Sequence, residues 1–176
     1  MKVTMVMLSS VDGRTTQGNN TNIYTWSSKE DKQFFFSLIK KNNLIVMGRA
    51  TYDVARSAIK IEKSKLRIIF TRSPKKYINQ TVKGQLEFSN ESPKELVKRL
   101  SILGYKKMLL VGGGTINGLF LKQNLVDELC LTIEPIIFGA GKSIVEKQSL
   151  KTSLKLVSVK KINKTGTLLL KYKINK

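Results

Sequence analysis

Histidine is missing altogether from this sequence of 176 residues. That absence excludes Ser-His-Asp and Cys-His catalysis and every metal site that needs an imidazole. Cysteine occurs once, at Cys130, so no intrachain disulfide can form. Set in the apolar alternation of Leu129, Leu131 and Ile133, it reads as a buried, inert thiol. Long apolar runs are also lacking. No stretch approaches the roughly 20 residues of a membrane span, and the first ten residues hold neither a long apolar region nor a small-residue cleavage site. The expectation is a cytoplasmic protein with no membrane partner.

Acidic residues are scarce: 12 Asp and Glu stand against 32 Lys and Arg, for a net charge of +20. Such an excess is the electrostatic footprint of a nucleic-acid binder, and that is one functional class to test. The excess is nearly all lysine, however, with 26 Lys against 6 Arg alongside 16 Ile and 11 Asn, which points to a codon bias. The lysines are spread along the chain in short pairs such as Lys40-Lys41 and Lys160-Lys161. With no Arg-rich helix and no interleaved aromatic ladder, a solvated basic surface is the better reading, and no nucleic-acid partner is expected.

What is present is centred on Met108 to Gly118, where four apolar residues run into Gly112-Gly113-Gly114 and a helical pattern (Ile116, Leu119, Phe120) follows at once. This is the signature of a buried strand turning sharply into a helix. Bare backbone at a helix N-terminus offers unpaired N–H groups and the positive end of the dipole to a phosphate, and a nucleotide pyrophosphate is the obvious guest. A tight turn with nothing bound is the alternative. The stretch is not a P-loop, since no Lys-Ser/Thr pair follows Gly118, nor a Rossmann loop, since Asn117 stands where the third glycine would be.

The length fits one domain over residues 1–176 with a sizeable core. Val3 to Leu8 reads as a buried strand, leaving through Ser9 to Arg14 into a long polar loop that reaches Trp26. Ser27 to Glu30 reads as a capping box with Ser27 as N-cap, opening a helix that carries Phe34, Phe35, Leu38 and Ile39 and ends near Asn42-Asn43. Leu44 to Met47 is a second buried strand, and Gly48-Arg49-Ala50-Thr51-Tyr52 repeats the strand-glycine-helix pattern with Arg49 and Thr51 placed to hold an anion. Lys65 to Phe70 is a third strand, ending in the polar triplet Thr71-Arg72-Ser73 at the edge where ligands of open α/β sheets gather. Gln85 to Phe88 is a short strand. Ser92-Pro93-Lys94-Glu95 is a further capping box, opening a helix that turns Leu96, Val97, Leu100 and Leu103 inward and stops at Gly104. Leu129 to Ile137 is a strand followed by a glycine-rich bend. Leu156 to Ile162 and Thr167 to Ile174 form a hairpin about Asn163 to Gly166. The expected class is α/β, with a mixed, mostly parallel sheet, helices on both faces and a C-terminal antiparallel hairpin. Apolar stretches from Val126 to Ile137 and in the hairpin would expose a strand edge, so a homodimer is expected.

Taken in order, Ser10-Val11-Asp12-Gly13-Arg14, Trp26, Val46 to Tyr52, Val111-Gly112-Gly113-Gly114, and Leu125 to Leu129 through Pro135 to Gly139 and Gly141 resemble the dihydrofolate reductase superfamily. Within it they are most similar to the C-terminal reductase domain of bacterial riboflavin biosynthesis. The resemblance implies a three-layer fold of about eight strands and an NADPH-dependent reductase, often a homodimer built on its last strands. It implies that Gly48, Arg49 and Thr51 face the cofactor phosphates and that Thr71, Arg72 and Ser73 lie at the adenosine 2′-phosphate. Gly112, Gly113, Gly114 and Thr115 would hold the pyrophosphate, with Ser10 and Val11 near the nicotinamide. Trp26 would line the substrate cleft or anchor the core. Asp31, on the helix after Trp26, and Asp12 are the candidate acids.

The chain departs from the riboflavin pattern at three places. Val6 replaces a lysine, Gly112 stands where a glutamate is usual, and Tyr52-Asp53-Val54 stands in place of an Asp-rich segment. The triple glycine and Gly48-Arg49-x-Thr51 are closer to dihydrofolate reductases. The expected activity is hydride transfer from NADPH to a small heterocycle, either a riboflavin-pathway aminopyrimidine or a pterin. A nucleotide-binding protein without turnover is the further alternative.

Overall fold

The computed structural model describes residues 1–175. Eight strands form one sheet in the order β4-β3-β2-β5-β1-β6-β8-β7. They are β1 Lys2–Ser10, β2 Leu44–Gly48, β3 Leu66–Phe70, β4 Leu86–Ser89, β5 Lys107–Leu110, β6 Glu128–Glu134, β7 Leu154–Lys161 and β8 Leu168–Ile174. The first six run parallel, and β8 then pairs antiparallel with both β6 and β7.

The parallel strands are buried on both faces. Val3, Met5, Leu44, Val46, Ile68 and Leu110 meet Leu96, Leu100 and Phe120 of α3 (Pro93–Ile102) and α4 (Gly114–Lys122) on one side. Val6, Ile45, Met47, Ile69 and Leu109 meet Phe34, Phe35, Leu38 and Ile39 of α1 (Lys29–Lys41) and Tyr52 of α2 (Arg49–Ala55) on the other. Strict alternation along each strand divides the side chains between the two layers.

Local chemistry starts and stops the helices. At α3, Ser92 Oγ accepts from the Glu95 N–H while Glu95 accepts from the Ser92 N–H, and Pro93 occupies the first turn, where its missing donor is not needed. At α1 the cap lies one residue later than the sequence pattern suggested. Ser28, not Ser27, accepts from the Asp31 N–H at 3.2 Å, and Glu30 instead accepts from the Asn163 amide of the hairpin turn. Glu30 and Asp31 in the first turn and Lys40 and Lys41 in the last complement the helix dipole. Leu103 also departs from expectation: α3 ends at Ile102, and Leu103 is its exposed C-cap residue. The sixth strand stops at Glu134 rather than at Ile137, and β1 runs on to Ser10.

Asn163 Oδ1 closes the β7–β8 turn by accepting from the Thr165 hydroxyl and the Gly166 and Thr167 N–H groups. β7 is the far edge strand of the sheet.

Candidate active site

In the strand order, β5 separates β2 from β1, so the direction of winding reverses there. An open α/β sheet has its ligand crevice outside the carboxyl ends of the strands at such a point. A cleft of about 1380 Å³ opens at this place. The turns after β2 and β5 form its floor and are tied together, the Gly48 N–H donating to the Gly112 carbonyl at 2.8 Å. Gly112 has φ +84 and sits against Met7 Sδ, and the Gly112–Gly113 peptide is cis. Gly113 is the N-cap of α4 with no side-chain cap; the Ile116 N–H turns back to the Gly113 carbonyl at 3.0 Å, which leaves the Gly114 and Thr115 N–H groups without an acceptor in the helix. Gly48 caps α2 in the same bare way.

Gly48, Arg49, Thr51, Thr71, Arg72, Ser73, Gly113, Gly114 and Thr115 all line this one cleft. Gly112 is buried beneath it. Arg49 pairs with Asp53 one turn on, leaving it beside the opening of α2. The Thr71-Arg72-Ser73 triplet leaves the end of β3 and leads into a 3-10 segment, Pro74–Gln80, whose Lys76 and Tyr77 also face the cleft. Tyr77 stacks on Phe88 with ring centroids 4.6 Å apart, which fixes that wall.

Asp31 faces the other arm of the cleft. It is 7% exposed, and its pKa is raised to about 6, first by burial and further by the charge of Glu134, with Thr132 holding the rise back. Glu134 accepts from the Ser28 N–H at 2.7 Å and from the Thr167 hydroxyl at 2.6 Å, so β6 is pinned both to the start of α1 and to the hairpin. Asp31, Phe35 and Ile39 follow at intervals of four on α1 and present one face to the cleft.

Ser10, Val11, Asp12 and Trp26 lie elsewhere. Ser10 donates to Asp12, and Asp12 accepts the Phe138 and Gly139 N–H groups, joining the loop after β1 to the bend after β6. These bonds, the Ser10 hydroxyl first, hold the Asp12 carboxyl below its usual pKa. Val11 is exposed, and Trp26 packs edge-on against Phe138 with centroids 5.1 Å apart. Sequence reasoning passed over Arg67, Thr132, Glu134 and the flank formed by Lys142, Glu146 and Lys147. Arg67 alone had a visible signal, a charge inside the apolar run Leu-Arg-Ile-Ile-Phe. Cys130 is buried with its thiol pKa raised by desolvation, as an inert packing thiol requires.

The model of the RibD C-terminal domain family matches residues 1–168. This chain belongs to that family. Among curated relatives of this RibD C-terminal domain, the YyaP protein of Bacillus subtilis is 25% identical over 157 residues, covering 82% of this chain and 80% of its own length. The bifunctional dihydrofolate reductase-thymidylate synthase of Plasmodium vinckei is 30% identical over 100 residues, covering 54% of this chain and 52% of that protein. Among solved structures, a Shewanella sp. PV-4 protein assigned to riboflavin biosynthesis aligns with a TM-score of 0.81 at 18% identity, covering 100% of both chains. Acinetobacter baumannii RibD aligns with a TM-score of 0.77 at 18% identity, covering 99% of this chain but 58% of that one. These structural likenesses establish the fold. The family is that of a reductase domain, and no helix among the described residues is long and apolar enough to cross a membrane.

Proposed function

We propose that this RibD C-terminal domain is an NADPH-dependent reductase that transfers a hydride directly to a small nitrogen heterocycle, an aminopyrimidine or a pterin. The observation that carries this reading is the shared cleft. Two glycine-capped helix starts and the Thr71-Arg72-Ser73 triplet line one arm, and a buried acid faces the other. The first arm suits a dinucleotide: bare N–H groups for a pyrophosphate, and a cation with hydroxyls for a 2′-phosphate. When bound, the cofactor supplies the hydride, and the chain's part is to hold the two rings face to face away from water.

Asp31 is the group suited to the proton. With a pKa of about 6 it is partly protonated near neutrality, and its carboxyl faces the arm where a heterocycle would lie. It would hydrogen-bond a ring nitrogen and deliver a proton as the hydride arrives. Asp12, held below its usual pKa and engaged by three donors, is instead a loop clasp.

The test is loss of reduced-nicotinamide absorbance with purified protein, NADPH, and either dihydrofolate or 5-amino-6-(5-phosphoribosylamino)uracil. Oxidation dependent on one of them is expected. Tight NADPH binding without turnover on any aminopyrimidine or pterin would leave a nucleotide-binding protein in its place.

A further inference from the structure

Lysines far apart in the sequence meet at the end of the sheet opposite the cleft. Lys107 of β5 pairs in register with Lys2 of β1, and Lys173 of β8 pairs with Lys155 of β7. Glu128 of β6 stands between the two pairs, opposite Lys173, and holds the Lys2 ammonium at 2.7 Å. Alternation along the strands puts these five side chains on the α1 face of the sheet, where Val6, Leu109 and Cys130 of the same parity are packed. Lys171 shares that face, its ammonium 6.0 Å from the centre of the Phe34 ring of α1. Lys41, the last residue of α1, follows Phe34 by two helical turns and lies on the same side. All six lysines are exposed, and none lines the cleft. The neighbouring Asp127 carboxylate is turned to the Val3 N–H at 2.7 Å.

Like charges directly opposite one another on adjacent strands weaken a sheet. Here two such pairs, Lys2 with Lys107 and Lys155 with Lys173, share one carboxylate. A polyanion laid across them would turn that repulsion into attraction. From β5 through β1, β6 and β8 to β7 there are four strand spacings, about 19 Å in all. At about 3.4 Å per nucleotide along one strand, that row matches five or six phosphates.

We infer that this band is a second binding surface, separate from the cleft, for the phosphate backbone of a nucleic acid. Lysine offers a compact charge without the planar fork of arginine, and the band contains no arginine, so it engages phosphates and not base edges. Binding is therefore independent of sequence. The expectation of a merely solvated basic surface rested on the dispersal of lysines along the chain. The strand order gathers residues 2, 107, 155, 171 and 173 onto one face.

The experiment follows the fluorescence anisotropy of a labelled oligothymidylate of about 16 nucleotides, titrated with the full chain at several salt concentrations. Log affinity should fall against log salt with a slope of about −3, as expected when four or five lysines displace counterions from a single strand. The double variant Lys171→Gln/Lys173→Gln should reduce that slope by about 1.4 and weaken binding by about tenfold or more at about 50 mM salt. Lys83→Gln/Lys98→Gln removes the same charge from two exposed lysines outside the band, and should change affinity by less than about twofold. The thermal midpoint of the first variant at low salt should equal or exceed that of wild type, because Lys155 loses the like charge opposite it. Saturating NADPH should not displace the oligonucleotide. Equal losses in the two double variants would reduce the effect to net charge, and displacement by NADPH would move it to the cleft; either overturns the proposal. So does absence of oligonucleotide binding at about 50 mM salt, whether or not phosphatidylserine vesicles bind in its place.

Discussion

Asp31 and Glu134 face one another between α1 and β6, and the repulsion between them adds to burial in raising the Asp31 pKa to about 6. The native state thus holds a proton that the unfolded chain releases near 3.8. Stability contributed by this group is present below about pH 4 and is lost as pH rises toward 6, remaining flat beyond, with a total change of about 3 kcal/mol. Asp31→Asn removes the ionisation. Denaturant titrations of both proteins at about pH 4 and pH 7 should show the variant gaining on wild type at the higher pH, the subtraction cancelling every other carboxylate. Activity should follow the same group: turnover falls as pH rises through about 6, and Asp31→Asn slows it by about a hundredfold or more. A variant with undiminished rate would remove Asp31 from the chemistry.

Adjacent glycines at the centre of the cleft should fail in different ways. Gly112 adopts φ +84, where a side chain is strained, and a Cβ there would meet Met7 Sδ at 3.0 Å. Gly112→Ala should therefore destabilise the fold by about 1 kcal/mol or more, seen as a lower thermal midpoint. Gly113 has φ −76, and the nearest atom to an added Cβ is Thr51 Oγ1 at 3.4 Å. Gly113→Val should fold normally yet abolish NADPH binding, because the branched side chain occupies the space a pyrophosphate must approach. Unchanged affinity in a fluorescence titration would remove the pyrophosphate from this turn.

Much of this was legible in the sequence because the signals are local. Glycine after an apolar run announces a strand-to-helix turn wherever it occurs, and Ser92-Pro93-Lys94-Glu95 caps its helix as written. The pairing of Thr132 and Glu134 with Asp31 was not legible, since they meet only when β6 is laid beside β1 and α1 is folded across both. Arg67 shows the limit differently. Its strand was identified correctly, but a charged residue in a buried strand has no local reading until the fold is seen.

We propose a homodimer that buries β7. This edge strand leaves Leu154, Leu156, Val157 and Val159 exposed, and Val157, at the bulge opposite β8, is 64% exposed. Between Lys155 and the Lys160-Lys161 pair, Leu156, Val157 and Val159 form an exposed aliphatic patch on this edge, and a twofold contact would cover it on both copies at once. Light scattering should give twice the 19.9 kDa chain mass at micromolar concentration. Val159→Lys should shift the population to monomer with the fold intact, since an edge lysine opposes strand pairing. Monomeric wild type would dismiss the dimer.

Cofactor choice should reside in Arg72. The adenosine 2′-phosphate carries up to two negative charges, and a site that selects it needs a cation or donors, whereas a site for the unphosphorylated cofactor commonly places a carboxylate there. After β3 the chain runs Thr71-Arg72-Ser73, exposed at the cleft wall, with Lys76 one turn further on. Arg72 has no side-chain hydrogen bond or ion pair among the described residues, so nothing competes for its guanidinium. Glu91 also lines this wall, but Arg99 holds it through two hydrogen bonds of 2.9 Å. NADPH should therefore bind more tightly than NADH. One charge-assisted contact is typically worth about 1.5 to 3 kcal/mol, so Arg72→Ala should weaken NADPH by about tenfold to a hundredfold and leave NADH nearly unchanged. Because the contact is exposed, added salt should narrow the gap between the two cofactors in wild type and have little effect on the variant. Dissociation constants for both cofactors and both proteins decide the matter: an equal loss for the two cofactors, or no loss, would place the 2′-phosphate away from Arg72.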